Sequence, residues 1–201
     1  MLTRRNLIQA GAAAGLMTAA RPVFATAIPL QPHINPGLLA RARAALQQKR
    51  PSLRDTDVMA IADYSQPSRE PRFYLVQTAS GIITSYHVAH GRGSDPQHSG
   101  YLNYFSNTPG SEASSSGAYV TGDVYYGKYG RSLRLRGLDY TNNNAEGRAI
   151  VVHAAQYAEP GMIDQFGKLG RSEGCFTLSQ LSLQYVLQQL GPGRLLYSDK
   201  V

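Results

Sequence analysis

The chain carries a single cysteine, Cys175, among its 201 residues. That excludes an intramolecular disulfide framework and any zinc site built from several cysteines. Charge is scarce as well: 16% of residues are charged, too few for a disordered polyelectrolyte tail or a charge-laced coiled coil. No apolar run is long enough for a stable membrane span, and no internal repeat is present. Lys and Glu are few, whereas 20 Gly and 13 Tyr lean the composition toward strands and loops. An apolar fraction of 42% is that of a globular chain, and this length supports one ordinary domain with a real core.

The N-terminus reads as an address. Thr3-Arg4-Arg5-Asn6-Leu7-Ile8 precedes a weakly apolar run to Ala20, then Arg21-Pro22 and Ala25-Thr26-Ala27. The order of charged, apolar and small residues predicts a cleaved secretory signal over 1–27, and the arginine pair suggests the twin-arginine route. The mature protein is then exported, periplasmic or cell-wall associated. Cleavage would remove Arg4, Arg5 and Arg21 and no acidic residue, so the formal charge of +7 is partly carried by the signal. The remaining positive charge suits an anionic extracytoplasmic partner better than nucleic acid.

Residues 28–56 read as a proline-containing leader followed by a helix over 38–48, with Leu39, Ala42 and Leu46 at helical spacing and Pro51 as the stop. Residues 57–201 form the main domain. Strands are expected over 57–64 and 72–78, with Ser80-Gly81 turning into a returning strand over 82–89. A long loop of Ser, Asn, Gly and Pro occupies 91–117, and a loop of that length is usually functional or mobile. Strands resume over 118–126 and 132–136, the latter alternating Leu133 and Leu135 with Arg134 and Arg136. Ala149-Ile150-Val151-Val152 reads as a buried strand ending at His153. Leu183, Val186, Leu187 and Leu190 mark a helix capped by Ser179 and stopped by Gly191-Pro192, and a short strand over 194–197 closes the chain. The fold class is mainly β, in an α+β arrangement with peripheral helices.

An unpaired cysteine in an exported protein risks oxidation, so its presence asks for a reason. A thiol needs a base to become a thiolate nucleophile, and His153 at a strand end is the best-placed candidate. Gly174 permits a tight backbone path beside Cys175. A buried small hydrophobe beside a core histidine is the bland alternative, and spacing alone does not decide between the two.

Ser172-x-Gly174-Cys175 with His153 upstream resembles the L,D-transpeptidase signature. The resemblance extends to Val88-Ala89-His90-Gly91, to the blocks at 105–111 and 115–119, to 126–135, and to Arg148-Ala149-Ile150-Val151-Val152-His153. These ordered blocks, spread over 58–197, are similar to the murein L,D-transpeptidase catalytic-domain branch. The resemblance implies an L,D-transpeptidase-like β-sandwich with Cys175 as nucleophile and His153 as base. It places Ser172 and Gly174 in the supporting loop, with the N–H groups of Gly174 and Cys175 facing an oxyanion. It implies attack on the diamino acid of a peptidoglycan stem peptide, release of D-alanine, and transfer to an amine, with no cofactor. Water as acceptor would make the chain an L,D-carboxypeptidase, and a degenerate site would make it a wall-binding scaffold.

Four positions depart from the family pattern: Ala154 for Gly, Glu173 for an aromatic, Phe176 for Pro, and Thr177 for Arg. Arg171, Tyr119, His90 and Thr177 are candidate substrate contacts. Tyr119 is named because it lies in a matching block, His90 because it ends a strand where the long loop begins and a groove is expected, and Arg171 because it adjoins the motif and a guanidinium fork suits carboxylates. A metal is not expected: His87 and His90 are three apart on a predicted strand and face opposite ways.

Overall fold

A computed structural model describes residues 32–201. The export signal expected over 1–27, and the first residues of the leader, lie outside the described residues. The fold is mixed α/β, one large sheet with peripheral helices. Eight strands hydrogen-bond into the order β3-β2-β1-β8-β4-β5-β6-β7. They are β1 (Val58–Asp63), β2 (Phe73–Gln77), β3 (Ile83–Tyr86), β4 (Gly117–Gly127), β5 (Gly130–Gly137), β6 (Val151–Ala154), β7 (Phe176–Leu178) and β8 (Leu195–Asp199). The helices are α1 (Pro36–Gln48), α2 (Gly161–Phe166) and α3 (Gln180–Leu190). Among the described residues no helix is long and apolar enough to cross a membrane.

The two helices expected from periodicity are present and cover opposite faces of the sheet. In α1, Asn35 Oδ1 accepts from the backbone N–H groups of Gly37 and Leu38, and Pro36 takes the first turn, where its missing N–H costs nothing. Its buried stripe is Leu38, Ala42, Ala45 and Leu46, with Leu39 only half-buried. That stripe packs on Met59, Ile61, Tyr74 and Leu195. The helix α3 is capped by Ser179, whose hydroxyl accepts from the Ser182 N–H at 3.2 Å. Leu183, Val186, Leu187 and Leu190 pack on the other face, against Ala60, Phe73, Tyr119 and Phe176. Alternate residues of β1 therefore enter two different cores, which explains why all six of its residues are buried.

The C-terminal strand does more than close the chain. β8 lies in the middle of the sheet, parallel to β1 and antiparallel to β4. Two departures from expectation matter for the site. Ala149 has φ +53° and is not in a strand, so β6 starts at Val151 and runs through His153 to Ala154. The other is β7, a strand of three residues immediately after Cys175 that pairs parallel to β6.

The two ends of the sheet approach one another. Beyond β3 the chain bridges to β7 through Ala89 and Thr177, and Gly91 bridges to Ser172. Residues of β1 and β2 share one apolar cluster with Val152, Phe176 and Leu178 from the opposite end. The segment over 91–117 is irregular, as expected, apart from one short turn of 3-10 helix at Arg92–Ser94.

Candidate active site

The β6–β7 register builds the site. His153 stands directly across from Thr177. Cys175 immediately precedes β7, two residues before Thr177. Cys175 and His153 line one pocket of about 210 Å³, which Tyr129, Tyr157, Arg148 and Glu173 also border. The expected pair is thus brought to a common cleft although Cys175 itself is only 8% exposed.

The loop before Cys175 is held by Ser172 and shaped by Gly174. The Ser172 hydroxyl donates to the Cys175 carbonyl at 2.8 Å and accepts from the Gly174 N–H at 3.2 Å. Gly174 has φ +109°, and a Cβ there would lie 2.7 Å from the Ala113 carbonyl oxygen and 2.8 Å from Ile150 Cδ1. Only glycine fits. Because its N–H is already given to Ser172, Gly174 shapes the loop and is corrected as an oxyanion donor.

The imidazole is held on three sides. Nδ1 lies 3.0 Å from the Ala154 carbonyl, which can only accept, so Nδ1 carries the proton and Nε2 presents a lone pair. Thr177 Oγ1 lies 3.1 Å from that Nε2 and must donate to it, having one hydrogen. The Tyr157 hydroxyl, 3.1 Å from Thr177 Oγ1, is then the donor in its turn. Burial pushes the Tyr157 pKa up to about 12, consistent with a hydroxyl that keeps its proton. The Tyr129 ring, delivered by the β4–β5 hairpin tip, stacks on the imidazole with centroids 4.4 Å apart. A register shift between Thr121 and Val124 interrupts that hairpin, and such bulges bend the bulged strand and re-aim what lies beyond.

The L,D-transpeptidase catalytic-domain model matches residues 30–198. The chain belongs to the L,D-transpeptidase family. Among solved structures it is similar to an L,D-transpeptidase from Mycobacterium smegmatis, at 12% identity and a TM-score of 0.43, over 71% of this chain and 58% of that one. It is also similar to an L,D-transpeptidase from Mycobacterium tuberculosis, at 14% identity and 0.44, over 71% and 57%. A third, from Xylanimonas cellulosilytica, shows 13% identity and 0.40, over 79% and 69%. The chain thus spans less than two thirds of the length of the two mycobacterial proteins. No curated protein sequence matches it.

Within this family member the resting pair is neutral. Burial pushes the Cys175 thiol above its ordinary value; the Val151 N–H pulls it back, Glu173 adds to the rise, and Arg148 opposes it. Burial also lowers His153, with the Ala154 carbonyl partly offsetting. The thiol donates to the Ala149 carbonyl at 3.6 Å, and the left-handed turn at Ala149 is what aims that carbonyl. The pocket rim is charged: Arg92, Arg148 and Arg171 face one carboxylate, Glu173. Glu173 lies 3.4 Å from Arg92, which also holds Glu112.

The candidate substrate contacts separate. Arg171 lines the pocket, with its guanidinium anchored on the carbonyls of Asp95 and Pro96. Tyr119 is corrected: it is fully buried, edge-on to Phe176, and its hydroxyl donates to the Ser115 carbonyl at 2.9 Å. His90 is corrected too. It is 1% exposed, accepts from Arg72 at Nδ1 (2.6 Å), and stands 3.3 Å from Asp95 at Nε2. Neither can touch a substrate. Thr177 is likewise fully buried and orients His153 instead of contacting a ligand.

The other two departures find their place in the geometry as well. Ala154 acts through its carbonyl, which any residue supplies. Phe176 is a core aromatic, stacked on Tyr64 at 6.3 Å. Tyr129, Tyr157, Arg92 and Arg148 were not singled out as site residues from sequence. Arg148 and Tyr129 had a local signal, since Arg148 opens the block that ends at His153 and Tyr129 lies in the block over 126–135.

Proposed function

We propose that this protein is an exported peptidoglycan L,D-transpeptidase with Cys175 as nucleophile and His153 as general base. The observation that carries the proposal is that thiol and imidazole line one arginine-rimmed pocket. In acylation Thr177 withdraws its hydrogen from His153 Nε2, and the Cys175 proton passes to that nitrogen as the sulfur attacks the carbonyl carbon of the diamino acid at stem position three. The imidazolium then returns that proton to the departing D-alanine amine, leaving a thioester. An acceptor amine, deprotonated at Nε2, attacks the thioester and restores the thiol. Arg92, Arg148 and Arg171 bring positive charge to a substrate rich in carboxylates, and an Arg fork suits a carboxylate oxygen pair. The chemistry uses the chain's own groups, with residues 1–27 as the export signal, 28–56 as leader and helix, and 57–201 as the catalytic domain. The two halves of the bent sheet, which share the cluster around Phe176, act as the layers of a sandwich.

The test is incubation with a tetrapeptide muropeptide, with products and protein adducts read by mass spectrometry. Release of D-alanine with crosslinked dimers is expected, and Cys175→Ala is expected to abolish both release and thioester. D-alanine release without dimers would make the activity a carboxypeptidase. Murein retention with no thioester, on tetrapeptide or carbapenem, would leave a scaffold.

A further inference from the structure

The excess positive charge of the described residues is gathered in one element. Apart from Arg4, Arg5 and Arg21, the chain's 20 basic and 13 acidic side chains all lie in residues 32–201, an excess of four there. The stretch over 124–138 holds four of the basic ones, Lys128, Arg131, Arg134 and Arg136, and no acidic one. The remainder of residues 32–201 is therefore balanced, with 13 of each sign. All four cations are exposed. Among the described residues none of the four joins an ion pair.

That stretch belongs to the β4–β5 hairpin, whose far end runs beyond the neighbouring strands. β8 pairs with β4 only over 117–120, and β6 pairs with β5 only at Leu133 and Arg134. Residues 125–132 thus have only one another as ladder partners. Three tyrosines accompany the cations there. Tyr129, in the turn, is taken up by its stacking on His153. Tyr125 lies under the Arg134 guanidinium, 4.2 Å from its ring centre. Tyr126, paired across the ribbon with Arg131, is 82% exposed.

The placement of the charges selects the partner. Alternation along β5 puts Arg131 on one face of the ribbon and Arg134 and Arg136 on the other, with Lys128 in the turn between them. A linear polyanion is held by cations that track its backbone along one groove or face. Here such a chain would leave the opposite face unused. A layer of anionic headgroups surrounding the end of the ribbon meets both faces at once. A tyrosine ring is also suited to that boundary, with an apolar body for the acyl side and a hydroxyl for the wet side.

We infer that the end of the β4–β5 hairpin docks on an anionic phospholipid membrane, with Lys128 and Arg131 against headgroup phosphates and the Tyr126 ring at the acyl boundary. Arg134 and Arg136, set farther back, add attraction that salt screens over about 10 Å. A few cations and one ring give a reversible attachment, not a permanent anchor. The inference is independent of the chemistry proposed for Cys175. What it adds is position: Tyr129 lies in the same turn and borders the Cys175 pocket, so a docked hairpin holds that pocket beside the bilayer.

The chain has no tryptophan, so Tyr126→Trp gives it a single indole that reports on the hairpin alone. The full-length protein is titrated with vesicles of phosphatidylglycerol or of phosphatidylcholine. On phosphatidylglycerol a blue-shifted emission, quenched by brominated acyl chains and reversed by high salt, is expected; on phosphatidylcholine the emission should stay that of an indole in water. Adding Lys128→Gln and Arg131→Gln is expected to weaken the partition about twentyfold, each basic side chain near an anionic surface counting for about fivefold. Both side chains are exposed and unpaired, so the thermal midpoint should stay at the parent value. Tyr140→Trp, at a site 89% exposed and outside the hairpin, should show no shift on the same vesicles. An indole at position 126 that phosphatidylglycerol leaves unchanged overturns the inference. So does an equal shift on phosphatidylcholine, an equal shift at position 140, or a shift that the two glutamines leave at full strength. A response to soluble polyphosphate without one to vesicles would assign the cations to a polymer and overturn the membrane reading. No readout requires a thioester, so failure here and failure of the proposed function are told apart.

Discussion

At Thr177 one hydroxyl decides which nitrogen of His153 is available. Its hydrogen is given to Nε2 while Tyr157 supplies a hydrogen to its oxygen, which fixes the ring with Nε2 unprotonated; the proposed chemistry then releases that bond as Nε2 takes the thiol proton. Thr177→Val keeps the branch and removes the hydroxyl. Acylation by a carbapenem, followed by stopped-flow, is expected to slow about ten- to hundredfold, within what general acid–base positioning contributes. Thr177→Ser is expected to recover most of that loss. The protonation states set a second expectation. Burial raises the thiol and lowers the imidazole, so the two are neutral together near pH 7 rather than an ion pair. The thiolate fraction then grows as pH rises toward the raised thiol value. Alkylation by iodoacetamide should accelerate continuously through pH 9, whereas a plateau near neutrality would contradict the neutral pair. Glu173→Gln removes one cause of the raised value, and its alkylation at pH 7 should run a few-fold faster.

The β6–β7 pair and the loop before it form the element on which the proposed chemistry depends. Gly174→Ala places a methyl against the Ala113 carbonyl and Ile150 at a backbone angle that disfavours any side chain. A cost of about 1–3 kcal/mol is expected for such strain, measured as a fall in denaturation midpoint, together with loss of carbapenem acylation. Behind this loop stands the Arg72–His90–Asp95 line, which pins residues 87–100 and through the His90 carbonyl receives the Ser172 N–H at 2.9 Å. Burial and the Arg72 charge press His90 down to about 3. A histidine lowered in the folded state adds stability that is complete above its unfolded value, about 6.5, and is lost as pH falls toward the folded one. The parent's thermal midpoint should therefore decline between pH 6.5 and about 3, and His90→Gln should flatten that decline. How much of this element was legible follows from chain distance. Ser179 with Leu183, Val186, Leu187 and Leu190 announces α3 because cap and stripe lie within a few turns. Three-residue β7 and six-residue α2 leave no period to read, and the left-handed turn at Ala149 hides inside an apolar run. The Cys175–His153 pairing was signalled by a family resemblance, since composition and spacing left a core pair equally open. That Thr177 faces His153, and that Tyr119 and His90 turn inward, depends on a register between strands far apart in sequence.

Across the whole molecule the sheet separates stability from chemistry. One face carries α1 over Met59, Ile61 and Leu195; the other carries α3 and the Phe176 cluster, which backs directly onto Cys175 and Thr177. Leu38 and Phe176 are each fully buried, one on each face. Leu38→Ala removes a fully buried leucine and is expected to cost about 2–5 kcal/mol. In a domain of this size each kcal/mol shifts Tm by roughly 2–4 °C, so a drop of several degrees is expected by calorimetry. Below the new transition the acylation rate should match the parent, because the strands that set the His153–Thr177 register do not touch α1. Phe176→Ala loses a comparable or larger amount, about 3–5 kcal/mol. It also frees the ring space between Tyr64 and Tyr119, adjacent in sequence to Cys175. Its acylation rate at low temperature should fall with its stability. If both variants kept the parent rate, the site would be held by the Ser172 and Gly174 loop alone. If both lost it equally, the two faces would be coupled through β1 and β8, and the division of labour argued from the two cores would be wrong.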